Sequence, residues 1–274
     1  MTTAPIVVGV DLSRGACEAV WWALVEAQRR DAPVVLLHAP DGADAELAGG
    51  PDSGLPSQRA AAEAVVQTHL AHAARLAPDV DVQARIVETS PVDALTELSR
   101  DAELLVLGSR GRAGFRASAL GSVGQRVAVH AHCPVVIVPA GSPRLLNRRI
   151  VAGVSATRAG QHAVDFAADE ADRWDGELVL LRARAVGEQA QLVASIDTAE
   201  ALARVLRHHP DLPVEVSTPA ADPADAIASE TRRSDLVVLG CHHSEDAFNC
   251  RLGAVPSGVL AEADCPVILV GQQH

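Results

Sequence analysis

Leu104-Leu-Val-Leu-Gly108-Ser-Arg-Gly111 is followed, nine residues later, by Gly121-Ser122-Val123. The opening apolar run has the length and Val/Leu content of a strand buried on both faces, because a strand with one solvated face would alternate. It runs straight into glycine, and an Ala- and Val-rich helical stretch begins near Leu120. Much the same run recurs as Leu236-Val-Val-Leu-Gly240, at an offset of 132 (236 − 104). Cys133-Pro-Val-Val-Ile-Val138 recurs at the same offset as Cys265-Pro-Val-Ile-Leu-Val270. Nearer the start, Ile6-Val-Val-Gly-Val10 matches Ile150-Val-Ala-Gly-Val154, and Val35-Leu-Leu-His-Ala39 matches Val179-Leu-Leu-Arg-Ala183, at an offset of 144 (150 − 6). The excess of 12 (144 − 132) falls between Ala39 and Pro91, and Pro40 to Gln58, rich in Gly, Asp, Ser and Pro, reads as the loop that carries it. So long a period excludes a solenoid and indicates a tandem domain duplication. The expected domains are 1–140 and 149–274, with 141–148 as linker.

Within the first copy, strands are expected at 6–10, 34–39, 82–87, 103–108 and 134–138. Helical stretches lie between them: Gly15 to Arg30, Gln58 to Leu76, Val92 to Asp101 and Leu120 to Ala131. Ser13 suits the cap of the first helix, and Pro91 stands where the third should begin. Buried strands alternating with helices specify an α/β fold. Each domain is expected to be doubly wound, flavodoxin- or Rossmann-like, with a five-stranded, mainly parallel sheet. Ligands of such sheets sit at the carboxyl ends of the strands where strand order reverses. Functional residues should therefore follow Val10, Leu37 and Leu107.

The 274 residues carry 23 basic and 35 acidic side chains, a net charge of −12. That balance argues against a nucleic-acid binder, which needs a basic face. All 23 basic residues are arginine. Without lysine, Walker-type phosphate loops and Schiff-base chemistry are excluded. No apolar stretch reaches the length of a membrane span, and the start resembles no signal peptide. Five cysteines form a sparse, odd set rather than a disulfide framework. A reduced, cytoplasmic globular protein is expected.

Three glycines at this spacing with Ser or Thr after the third would arise by chance about 0.01 times in such a chain, from average composition. Glycine permits positive φ and close approach of backbone N–H groups to an anion. The N–H groups of Gly121 and Ser122 would lie at a helix N-terminus, where donors and dipole favour phosphate. Arg110 and Arg112 add charge or are simply solvated. Asp11, at a strand end, can accept hydrogen bonds from ribose hydroxyls, or it can cap the following helix.

Gly-x2-Gly-x9-Gly-Ser resembles the nucleotide-binding motif of the universal stress protein family. Val8-Gly9-Val10-Asp11-x-Ser13, Leu37-His38 and Cys133-Pro-Val-Val-Ile-Val138 are similar to that family as well. The resemblance covers the whole chain as two copies. It implies binding of ATP, with AMP or cyclic AMP as variants and Mg2+ as a companion of ATP. It further implies that Asp11 meets the adenosine and the backbone around Ala39 the adenine, with Gly9 among the binding residues. Gly108, Gly111, Gly121, Ser122 and Val123 would hold ribose and phosphates, with Ser109, Arg110 and Arg112 counted among the binding residues. A regulatory, stress-response role through a protein partner is implied, with slow hydrolysis at most. The two domains would pair through 134–138 and 266–270, and a homodimer stays open. A slow nucleotide hydrolase and a nucleotide-free scaffold are the alternatives.

The second copy departs from the motif. Ser155 stands for Asp11, His243 for Gly111, Ala254 for Ser122 and Pro256 for Gly124, leaving Gly240 and Gly253. One competent site, in the first domain, is expected. Cys241-His242-His243 with Cys250 offers zinc-type ligands at a spacing awkward for one tetrahedral site, and no metal is assigned. Cys133 and Cys265 read as buried small side chains. Of the adjacent Trp21 and Trp22, one should pack on the sheet. No catalytic residue is assigned, because Gly153-Val-Ser155-Ala-Thr157 lacks the last glycine of a nucleophile elbow and has no placeable partners.

Overall fold

The computed structural model describes residues 3–39, 55–109, 121–142, 147–183, 188–241 and 252–271. Its chain divides into two units, Met1–Ala140 and Gly141–His274. In the first, the apolar runs form β1 (Ile6–Gly9), β2 (Val34–His38), β3 (Val82–Ile86), β4 (Leu104–Gly108) and β5 (Val135–Val138). Four helices are described between them: α1 (Arg14–Arg30), α2 (Leu55–Leu76), α3 (Pro91–Leu98) and α4 (Ser122–His130). The strands lie in the order β3-β2-β1-β4-β5, every neighbouring pair parallel.

The second unit repeats this plan. It contains β6 (Arg149–Gly153), β7 (Glu177–Leu181), β8 (Val214–Ser217), β9 (Leu236–Gly240) and β10 (Val267–Val270). Its helices are α5 (Arg158–Arg173), α6 (Glu188–His208), α7 (Pro223–Glu230) and α8 (Ala254–Glu262). The order is β8-β7-β6-β9-β10, again parallel throughout. This is the doubly wound α/β plan expected from the alternation of apolar runs and helices.

Local chemistry sets the element boundaries. Ser13 caps α1 by accepting the N–H of Ala16 at 3.1 Å, and Thr157 caps α5 through Gly160 in the same way. Helix α1 ends on Asp31 in the left-handed region (φ 50), and α5 is followed, one residue past its cap Trp174, by Asp175 in the same region (φ 51). Pro91 occupies the first turn of α3, where a missing N–H costs nothing. Helix α2 starts at Leu55, three residues before the stretch read as helical, and residues 40–54 of the expected loop lie outside the described residues.

The core is the sheet itself. Ile6, Val8, Leu36, Leu104, Leu105 and Val106 are fully buried, as continuous apolar runs require. The outermost strand differs. Strand β3 alternates, with Gln83, Arg85 and Ile86 exposed, because it pairs on one side only within its unit. The expectation of burial on both faces is therefore corrected for β3, and likewise for β8, where Val216 is 42% exposed. At the end of the sheet away from the strand carboxyl termini, buried Glu26 pairs with Arg30 (2.6 Å), which also reaches Glu103. Its counterpart in the second unit, Glu170, pairs with Arg173 at 2.6 Å.

Candidate functional site

Strand order in the first unit reverses between β1 and β4. The chain leaves β1 toward β2 and leaves β4 toward β5, so the connections after these two strands diverge at their carboxyl ends, the place where sheets of this kind take ligands. Residues singled out in the sequence fall on these connections and on the one after β2. Gly9 closes β1, Asp11 follows it half-buried, and Ala39 stands half-buried directly after β2. Gly108 closes β4. Ser109, buried, donates its N–H to the Val138 carbonyl at 2.8 Å.

The two ends of the glycine loop are tied together: the N–H of Gly121 donates to the Ser109 carbonyl at 3.0 Å. That bond sets the N-terminus of α4 beside the carboxyl end of β4. Gly121 is the N-cap of α4 and supplies no side chain to its first turn. Among the described residues no side chain caps that turn, so its amide groups can meet an outside acceptor, and the Ser122 hydroxyl is exposed beside them. Arg110, Gly111 and Arg112 lie outside the described residues.

Asp11 does not cap α1; Ser13 does. The Asp11 carboxylate instead accepts the N–H of Ser13 through Oδ1 at 2.9 Å, which folds the turn after β1 and orients the side chain. Two buried histidines support the same turn. His38 Nδ1 is 2.8 Å from the carbonyl of Val10, and His69 Nε2 is 2.8 Å from the carbonyl of Asp11. A carbonyl only accepts, so each of these ring nitrogens carries the proton. In the sequence His38 belongs to the second-strand motif with no assigned role, and His69 belongs to no motif. A signal existed: among the described side chains of α2, Ala62, Val65, Val66, His69 and Ala73 are the buried ones, so His69 lies on its apolar stripe.

Two of the glycines have a packing role as well. A methyl group on Gly108 would lie 2.6 Å from the carbonyl carbon of Gly15, where α1 crosses β4. On Gly240 it would lie 2.5 Å from the backbone nitrogen of Gly160. Gly240 thus survives in the second unit because the first helix needs it.

The corresponding turn of the second unit is built differently. Ser155 Oγ lies 2.9 Å from Thr157 Oγ1. Arg182, at the position of His38, donates to the Val154 carbonyl at 2.8 Å and pairs with Asp197 at 3.0 Å. Beside it is a cavity of about 20 Å³, lined by Val154, Ser155, Gln161, Ala201 and Arg204 among others. Cys241 is fully buried after β9, whereas His242, His243 and Cys250 lie outside the described residues.

Cys133 and Cys265 are buried, as expected. Burial pushes the Cys133 thiol up to about 12, and the Cys265 thiol is raised by burial and then by Asp235 and Asp264. Trp22 packs into the core while Trp21 is half-buried. His130 ends α4, and the backbone N–H of His132 donates to Ser99 Oγ at 2.9 Å, a turn contact. Among the described residues, no helix is long and apolar enough to cross a membrane.

Comparison with known proteins agrees with this architecture. The model of the Universal stress protein family matches residues 3–139 and again 146–271. A universal stress protein of Mycobacterium tuberculosis is 31% identical over 274 residues, covering 98% of this chain and 96% of its own. One from Mycolicibacterium smegmatis is 29% identical over 291 residues, covering 97% and 96%. Among solved structures, a universal stress protein from Archaeoglobus fulgidus superposes with a TM-score of 0.74 at 16% identity, covering 99% of this chain and 100% of that one. At that identity the likeness speaks for the fold alone. With both halves matched, the chain belongs to the universal stress protein family, as two tandem domains.

Proposed function

We propose that the first unit binds one adenine nucleotide, ATP by preference, and that the chain works as a nucleotide-loaded regulatory module toward a protein partner. The observation that carries this reading is the placement of the Asp11 turn and the N-terminus of α4 on the two connections that diverge at the β1/β4 reversal. Asp11 would accept hydrogen bonds from the ribose, and the backbone beside Ala39 would meet the base. The amides of Ser122 and Val123 would take phosphate oxygens, with the Ser122 hydroxyl as a further donor. A divalent cation such as Mg2+ would accompany the outer phosphates of ATP. In the second unit Ser155 and Ala254 supply neither the carboxylate nor the hydroxyl, which supports a single site per chain.

Denaturing the purified protein, then identifying and counting the released nucleotide by mass spectrometry, tests the reading. About one ATP per chain is the expected result. Two per chain would overturn the single site. None, with none taken up on titration, would overturn nucleotide binding and leave the scaffold reading.

A further inference from the structure

The two units differ beneath the turn that follows the first strand, and the difference is built in one chain like a pair of variants. At the carboxyl end of α2 and α6 the copies run at the offset of 132, since Leu76 and His208 close the two helices and β3 and β8 begin at Val82 and Val214. Buried positions keep this register. Val66, His69 and Ala73 correspond to Thr198, Ala201 and Val205, all buried. Ala201 therefore stands where the first unit has His69.

The exchange has a visible consequence. In the first unit the imidazole of His69, 1% exposed, reaches from α2 to donate to the Asp11 carbonyl. In the second unit Ala201 is too short to reach, and the cavity beside Ser155 opens there. Its volume, about 20 Å³, has room for one water and none for a nucleotide. The carboxylate and the imidazole that supports its turn are thus present together in one unit and absent together in the other.

We infer that His69 is a positioning residue of the nucleotide site: by bonding the Asp11 carbonyl it fixes the turn that aims the Asp11 carboxylate. This rests on the reading that the first unit binds an adenine nucleotide. His69 acts through Asp11 and touches no ligand. The physical basis is preorganisation: a turn pinned by one strong hydrogen bond loses less freedom when ligand binds. The Asp11 Oδ1 bond to Ser13 sets the side chain relative to the turn, and His69 sets the turn relative to α2.

The test is a titration of the full-length protein, freed of nucleotide, with ATP. It compares wild type, His69→Met, which fills the space without a donor, and His69→Gln, which keeps an N–H donor. His69→Met should bind about tenfold more weakly or worse, the scale of one oriented hydrogen bond to a charged group. His69→Gln should recover most of that loss. In an Asp11→Ala background, His69→Met should change affinity less than about twofold, because coupled residues are not additive. Unchanged affinity in His69→Met, or fully additive losses with Asp11→Ala, overturns the inference while wild-type binding upholds the nucleotide reading. Absence of ATP binding by wild type overturns both. Melting temperatures of the nucleotide-free variants separate the two effects: a loss that tracks melting alone, and that Gln does not rescue, also overturns it.

Discussion

Gly108 and Gly240 occupy equal positions in the two units, and both are pressed against the backbone of the first helix of their unit. Adding a methyl at either place forces the helix off the sheet, an overpacking cost of about 1–3 kcal/mol. Gly240→Ala should therefore lower the urea midpoint of the second unit while leaving nucleotide stoichiometry unchanged. Gly108→Ala would confuse packing with binding, so Asp11→Ala is the cleaner probe of the site and should weaken binding enough to lower the nucleotide the purified protein retains, while ATP still binds on titration. The thiols make a separate prediction. Cys133 and Cys265 are buried with raised pKa values, whereas Cys17 is exposed. Alkylation of the folded protein at neutral pH should label Cys17 and spare Cys133, Cys241 and Cys265, as peptide mapping will read. Unfolded thiols ionise from about pH 9, but the folded Cys133 thiol holds its proton to about 12. The folded state then binds more protons, so stability should fall as pH rises from 9 toward 12, by about 1.4 kcal/mol per pH unit per thiol.

At the scale of elements, both first helices are capped by a hydroxyl, Ser13 for α1 and Thr157 for α5. Ser13→Ala and Thr157→Ala should each cost about 1 kcal/mol in their own unit, measured by urea unfolding followed separately for the two transitions. Arg30 is 3% exposed and shares buried Glu26 with Arg29. Its removal should be dearer, about 3 kcal/mol, because a carboxylate stays buried with less compensation. These elements were mostly legible in the sequence. Continuous Val/Leu runs announce buried strands, and Ser13, Pro91 and Gly121 mark helix starts by chemistry that acts over three or four residues. Strand β3 was legible as a strand but not in its exposure, since a place at the end of the sheet is not a local property.

For the whole molecule, duplication gave two units of one plan and allowed them to diverge. Unit one keeps Asp11, His38, His69 and Ser122; unit two has Ser155, Arg182, Ala201 and Ala254 in their places. The Arg182–Asp197 pair joins the residue after β7 to α6 and occupies the side of the turn that His38 supports in the first unit. Restoring a carboxylate by Ser155→Asp alone should therefore not create a second site, and nucleotide should stay near one per chain by mass spectrometry. A rise toward two would mean that the glycine loop of the second unit is competent after all.

The sequence by itself determined the duplication, the strand and helix alternation, the parallel α/β class and the glycine motif at the end of β4. Each is written in spacing or in chemistry between near neighbours. Tertiary structure alone decided that Gly108 and Gly240 serve helix packing, that β3 and β8 are exposed, and that His69 holds the Asp11 turn. These depend on atoms that fold together from distant segments: 58 residues separate His69 from Asp11. No local pattern reports which carbonyl a buried imidazole will meet, because that is settled by how α2 lies on β2 and β3, beside the turn that follows β1.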